Sequence, residues 1–326
     1  MGRSTCRKRR DVIVALEPIR AILDVDTGVD DAMAIALAVA APTIDLVAVT
    51  TVAGNVELEH TTRNTLRVLD FIGATDVPVY RGMSRPLDRP LHTASHIHGT
   101  DGLGGADIPR STRTVEALSA PQYLIDAARQ SPGVLTFIFV GPLTNLAVAV
   151  ALEPELPRLV KRLVIMGGAF RMPGNTTATA EFNIFADSMA AAQVLAAGFD
   201  ATWVGLDVTT EAVFARAQWD ALDNATAPNA QIVRKAGAQM FVTFNRPVFQ
   251  LHDPLAVAVA ADPTFVDAPE ETVMIETGGA YSAGQTIIQR PGREGGFRTR
   301  VAKTVDTERF GAFFTEILGL PNGSGK

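Results

Sequence analysis

Asp24, Asp26, Asp30 and Asp31 put four carboxylates into eight residues, directly after the apolar run Ala21-Ile22-Leu23 and before the alanine-rich segment Ala32 to Leu37. Carboxylates this close raise one another's pKa values unless a cation neutralises them or they diverge into solvent. An all-oxygen donor set suits a hard cation, Ca²⁺ or Mg²⁺. For Asp24 and Asp30 the competing use is capping, because a helix start favours anions and leaves N–H groups unsatisfied. Further along come Asn55, His98, Asn175, Glu181, Asn183 and the adjacent pair His252-Asp253. A histidine with an ordinary pKa of about 6.5 can pass a proton at neutral pH. The plain alternative for Asn175 and Asn183 is turn or cap duty. For His92, His96 and His98 taken singly it is a structural or merely exposed imidazole.

These residues need elements to position them. A short apolar run that stops at carboxylates and a glycine, then resumes as an alanine- and leucine-rich stretch, reads as buried strand, tight loop, helix. The acids then sit at the carboxyl end of a strand, the edge where open α/β sheets bind ligands. Strand-like runs recur at Ile44–Thr50, Leu135–Val140, Leu163–Met166 and Thr202–Leu206, with helical stretches at Glu57–Phe71, Gln122–Gln130, Pro142–Ala151 and Ser188–Ala197. That alternation predicts one α/β domain, residues 20–326, built on a mostly parallel open sheet flanked by helices. Two irregular stretches break it, Arg81 to Pro109 and Gly167 to Asn183. Long loops in compact domains tend to be functional or disordered, and the glycines of His96 to Gly105 suit a lid.

Composition narrows the function. The chain has 326 residues, is 47% hydrophobic and 20% charged, and carries a net charge of −6. That is enough apolar residue for a large core and no broad footprint for nucleic acid. Small, locally recognised ligands fit better. The single cysteine, Cys6, excludes an intrachain disulfide or a thiolate cluster and fits a reducing cytoplasm. The basic tail Arg3 to Arg10 precedes a patch too short for a signal core or a membrane span, so residues 1–19 read as a disordered extension. The other apolar stretches fall well short of the roughly 18 residues of a membrane helix.

Beyond the aspartates stand Val140-Gly141-Pro142-Leu143-Thr144-Asn145, Met166-Gly167-Gly168-Ala169, Glu181-Phe182-Asn183 and Leu251-His252-Asp253-Pro254-Leu255. In this order and at these separations, from about Ala21 to Val305-Asp306-Thr307-Glu308-Arg309-Phe310, the chain resembles the nucleoside hydrolases. The resemblance implies the family's α/β fold, a bound Ca²⁺, cleavage of a ribonucleoside's N-glycosidic bond to ribose and free base, and a homodimer or homotetramer. Carried over by position, it places the calcium ligands at Asp26, Asp31, the carbonyl of Val140, and Asp253. Asp26 becomes the base that activates a calcium-bound water. Asp30, Asn55, Asn175, Glu181 and Asn183 face the ribose, with Met166 also in the substrate site, and His98 approaches the base. His252 assists the departing base. Ile97 and Phe182 wall the base, with core packing as the alternative.

The chemistry fits that assignment. Three carboxylates and a carbonyl leave several of the six to eight places around Ca²⁺ open for hydroxyls and a water. Breaking the bond builds positive charge on the ribose, which a ring of fixed oxygens stabilises. Thr27 follows Asp26 where many members of the family carry proline. The segment Ala236 to Gln250 offers Phe241, Phe244, Arg246 and Phe249 but no tyrosine, so more of the leaving-group assistance would fall to His252. Two rival readings are an Asp-based, Mg²⁺-dependent phosphohydrolase using Asp24 and Asp26, and a catalytically silent nucleoside or ribose binder. The first leaves Asn175, Glu181, Asn183, His252 and Asp253 without a task.

Overall fold

In the computed structural model, which describes residues 18–321, the apolar run ahead of the acids forms strand β1, Ile19–Val25. Its successive side chains point to opposite faces: Ala21, Leu23 and Val25 enter one hydrophobic cluster and Ile22 another. The sheet therefore has a core on each side. The extension expected at residues 1–19 lies outside the described residues up to residue 17, and Ile19 already belongs to β1.

Strands β2 (Ile44–Thr51), β3 (Val79–Arg81), β4 (Thr136–Phe139), β5 (Arg162–Met166) and β6 (Ala201–Val204) join β1 in parallel pairings. Short antiparallel pairs are made by β7 (Val213–Ala215) with β8 (Val248–Gln250), and by β9 (Val266–Asp267) with β13 (Thr304–Val305). Strands β10 (Glu270–Ile275), β11 (Thr286–Ile288) and β12 (Phe297–Val301) extend the main sheet. Its order is β11-β10-β12-β6-β5-β4-β1-β2-β3, with β10 antiparallel to both neighbours. From β1 the chain runs outward through β2 and β3, then returns to the other side of β1 as β4. The reversal opens a crevice at the carboxyl ends of β1 and β4, where Asp26 and Val140 lie.

The helix Val29–Ala40 is buried from Val29 to Ala38 and packs against helices Pro228–Ala238 and His252–Ala261. A helix apolar on nearly every side must be covered on nearly every side, which is why this face carries two helical layers. The other face is covered by helices Ala120–Gln130, Thr144–Leu152 and Ser188–Ala197. Expected and observed elements agree to within about two residues, as element ends usually do. The expected helix over 142–151 begins at Thr144 because Pro142 and Leu143 still belong to the turn after β4. No described helix is long and apolar enough to cross a membrane.

Candidate functional site

The loops after β1, β2, β4 and β5 and the start of helix His252–Ala261 converge on one cavity of about 210 Å³. It is lined by Asp30, Asn55, His98, Val140, Met166, Asn175, Glu181, Phe182, Asn183, His252 and Asp253, together with Ile97, Met240, Arg246, Phe249 and Gln250. Every expected site residue but Asp26 and Asp31 therefore reaches the cavity wall. Those two lie directly behind it, joined to it through Asn55. The Asn55 main-chain N–H donates to Asp26 Oδ2 at 2.7 Å, and its amide donates to Asp31 Oδ2 at 3.0 Å.

Asp31 is fixed by the start of its own helix. Its oxygens accept from the N–H groups of Asp26 at 3.1 Å and Gly28 at 2.8 Å, which satisfies donors that a helix start leaves free. The capping weighed as the competing use of Asp24 and Asp30 falls to Asp31. Asp24 is wholly buried and accepts at 2.7 Å from the Asn145 amide and also from the Thr50 hydroxyl. Three glycines permit this packing. A Cβ on Gly28 would lie 2.4 Å from His98 Nδ1, one on Gly54 2.2 Å from Asp26 Oδ2, and one on Gly141 2.8 Å from Asp26 Oδ1.

Oxygen atoms of Asp30, Asp31 and Asp253 lie within 4.8 Å of one another. Asp30 thus borders the cavity and the acid cluster at once. Burial, reinforced by the charges of their neighbours, raises the pKa of Asp26 and Asp253, and lifts Asp30 to about 8. Asp31 is raised by burial as well, with its hydrogen bonds opposing the shift. Asp26 Oδ1 is buried with no partner among the described residues. An all-oxygen cluster that ionises reluctantly by itself and keeps one oxygen unmatched is suited to a hard cation.

The loop after β5 supplies the next wall. Glu181 caps the short helix Phe182–Ala186, accepting from the N–H groups of Asn183 at 2.8 Å and Ile184 at 3.1 Å, and from Gly168 at 3.0 Å. Asn183 donates its amide to the Val140 carbonyl at 2.7 Å and to the Met166 carbonyl at 3.2 Å. Asn175 accepts from the Phe182 N–H at 2.9 Å, so its turn-forming role and its place on the cavity coexist.

The rest of the cavity lining is apolar but for Thr176, Arg246, Gln250 and three imidazoles, those of His96, His98 and His252. His98 accepts the Val29 N–H on Nδ1 at 3.1 Å, which leaves its proton on Nε2. Burial, with the His252 and His96 rings adding to it, pushes His98 down to about 3. His252 shares a 2.7 Å hydrogen bond between Nδ1 and Thr209 Oγ1. Burial and then the charge of Arg246 lower it to about 4. Both rings are neutral at pH 7. The ordinary pKa expected of His252 is not what its surroundings give it. Ile97 and Phe182 also line the cavity, while His92 packs on Phe182 and Phe185 and is not among the lining residues.

Sequence reasoning missed the lining residues Ala94, Thr176, Met240 and Gln250 and the Asn145 hub. Asn145 donates to Asp24 and the Thr51 carbonyl, and accepts from the Met83 N–H at 2.8 Å. The Met83 carbonyl in turn accepts from Ala53, two residues before Asn55. The only signal for it was the asparagine ending Val140 to Asn145.

A family profile described as inosine-uridine preferring nucleoside hydrolase matches residues 21–312. The non-specific ribonucleoside hydrolase RihC of Klebsiella pneumoniae is 40% identical over 304 residues, covering 92% of this chain and 98% of that protein. The inosine-uridine preferring nucleoside hydrolase of Leishmania major is 38% identical over 318 residues, covering 92% and 98%. A solved plant nucleoside hydrolase, PpNRh1, superposes with a TM-score of 0.87 at 32% identity, covering 93% of this chain and all of that one. These matches show that the chain belongs to the nucleoside hydrolase family.

Proposed function

We propose that the protein is a calcium-dependent ribonucleoside hydrolase that uses the cavity between Asp253 and Phe249 as its active site. The observation that carries this reading is the cavity's polarity. Asp30, Asn55, Glu181, Asn183 and Asp253 line it around the acid cluster, and Ile97, Phe182, Met240 and Phe249 give it apolar walls; we read the first set as its sugar end and the second as its base end. A ribonucleoside has that same division between hydroxylated sugar and flat base.

Asp26, Asp31, Asp253 and the Val140 carbonyl would hold the cation. When bound, Ca²⁺ supplies a fixed positive charge that orients sugar hydroxyls and acidifies a water. Asp26, whose Oδ1 has no partner among the described residues, takes the proton of the attacking water. Asp30, Asn55, Asn175, Glu181 and Asn183 hold the hydroxyls and surround the positive charge that develops on the ribose ring. Neutral His252, oriented through Thr209, donates a hydrogen bond to the base as it leaves with the bonding electron pair; the base then takes a proton from solvent while Asp26 gives up to solvent the one it took from water. His98 lends a second donor from Nε2. The Asp-phosphatase reading leaves this sugar end idle and has no support in the site.

The test is release of reducing sugar from inosine, adenosine, guanosine, uridine and cytidine without phosphate, before and after chelation. Turnover lost on chelation and restored by Ca²⁺ supports the proposal. Full turnover in the chelated protein sinks the metal role, and tight binding without turnover moves the protein to a silent binder. We further propose a homo-oligomer in the cytoplasm; light scattering at micromolar concentration that gives a mass of 34.6 kDa would refute the assembly.

A further inference from the structure

Arg246 lines the cavity beside Met240, Phe249 and Gln250, and the reaction described above leaves it without a task. Nearby Arg216, whose main-chain N–H donates to the Pro247 carbonyl at 2.9 Å, is paired with Asp220. Arg246 has no carboxylate partner among the described residues, and its guanidinium lies 5.6 Å from the centroid of the Phe244 ring. The backbone aims it. Asn245 has φ +49°, the one non-glycine positive φ among the described residues, and the Arg246 N–H donates to the Met240 carbonyl at 3.0 Å. The turn closing the π-helical segment Gln239–Thr243 thus presents a free cation at the apolar end of the cavity.

We propose that Arg246 is a specificity-determining residue that reads an oxo group on the base, favouring hypoxanthine, guanine and uracil nucleosides over those of adenine and cytosine. This rests on the ribonucleoside reading of the cavity. A guanidinium carries donors only. The outer edge of a 6-oxopurine offers O6 and N7, two acceptors that match its fork, whereas adenine places an amino donor beside N7. Uracil O4 and cytosine N4 differ in the same sense. Gln250, with a donor and an acceptor on one amide, can face either class and supplies no such bias.

The experiment measures kcat/KM for the five nucleosides with wild type, Arg246→Met and Arg246→Lys, and calorimetric binding of free hypoxanthine and adenine to each. Arg246→Met is expected to lower the ratio of oxo to amino kcat/KM by about tenfold or more, the scale of one good bidentate contact. Arg246→Lys, which keeps charge but loses the fork, should fall between. Hypoxanthine binding should weaken relative to adenine by a similar factor. Equal losses on all five nucleosides, or an unchanged ratio, overturn the proposal. If the wild type hydrolyses no nucleoside, the ribonucleoside reading fails by itself, and free-base binding still decides what Arg246 selects. Arg246 is exposed, so melting curves of the variants should overlay that of the wild type.

Discussion

Asn55 grips Asp26 from one side only. Its main-chain N–H donates to Oδ2 at 2.7 Å, while Oδ1 is buried without a partner among the described residues. The carboxylate is thereby oriented but keeps a lone pair free, which is what a proton acceptor needs. Asp26→Asn preserves the shape and removes the basicity. Expected is a fall in kcat of about 10² to 10⁴, the usual contribution of a general base, with KM changed far less. Equal damage to kcat/KM through KM alone would mean that Asp26 serves binding and not proton transfer.

The glycine at position 54 is part of the same arrangement. A Cβ there would lie 2.2 Å from Asp26 Oδ2 and 2.8 Å from Pro142, so Gly54→Ala must displace the carboxylate or the loop. Such overpacking costs about 1–3 kcal/mol of stability, and turnover should drop with it. Gly311, within helix Thr307–Ile317 and with open space around it, is the control. Gly311→Ala should raise stability by about 0.5–1 kcal/mol through helix propensity and a less flexible unfolded chain, with turnover unchanged. Denaturant melts and steady-state rates on both variants decide the matter; normal turnover in Gly54→Ala would show the Asp26 loop to be more compliant than its packing implies.

How much of this was readable beforehand depended on how local the cause was. The run from Ala21 to Leu37 declared strand, loop and helix, because burial, a turn glycine and the alanine-rich segment all act within a few residues. The order of the sheet and the antiparallel strands Glu270–Ile275 and Phe297–Val301 were not readable, since pairing between distant segments leaves no local period. Asp24 looked like one more acid of the cluster; its hydrogen bonds to Thr50 and Asn145 depend on register between β1 and β2 and on a helix about 120 residues away. His252 was found by position, but its low pKa comes from burial that only the assembled fold supplies. Arg246 stood in view as a charge among phenylalanines, and only the cavity gave it a direction.

Protonation of the acid cluster should tie stability to metal and pH together. Burial lifts Asp30 to about 8 and Asp24 to about 7, and raises Asp26, Asp31 and Asp253. In the unfolded chain such carboxyls titrate near 3.9. Between those values the folded protein without cation holds more protons than the unfolded chain, so its stability falls as pH rises. A cation binds the deprotonated form and opposes that loss. The melting temperature of the calcium-loaded protein should therefore exceed that of the chelated protein by a margin that widens from pH 5 to pH 8. Asp253→Asn, which removes a proposed cation ligand, should abolish most of the margin, and Asp30→Asn, which removes a proposed sugar ligand, less of it. A margin independent of pH would mean that calcium binds elsewhere.

The sugar end of the cavity makes the sharpest demand on the substrate. Asp30, Asn55, Glu181, Asn183 and Asp253 all border it and are at most 8% exposed. Polar groups buried to this degree must find partners, and a missing hydroxyl would leave some of them unpaired at a cost of about 1–3 kcal/mol each. Sites built to hold a hydroxyl therefore reject analogues that lack it far more strongly than apolar pockets reject a missing methylene. The 2′-hydroxyl would be lost twice over, from the side chains and from the cation. Deoxyadenosine should accordingly be hydrolysed with a kcat/KM at least about 10²-fold below that of adenosine. Comparable rates for the two would place the 2′ position away from the acid cluster and require the ribose to bind in the opposite sense.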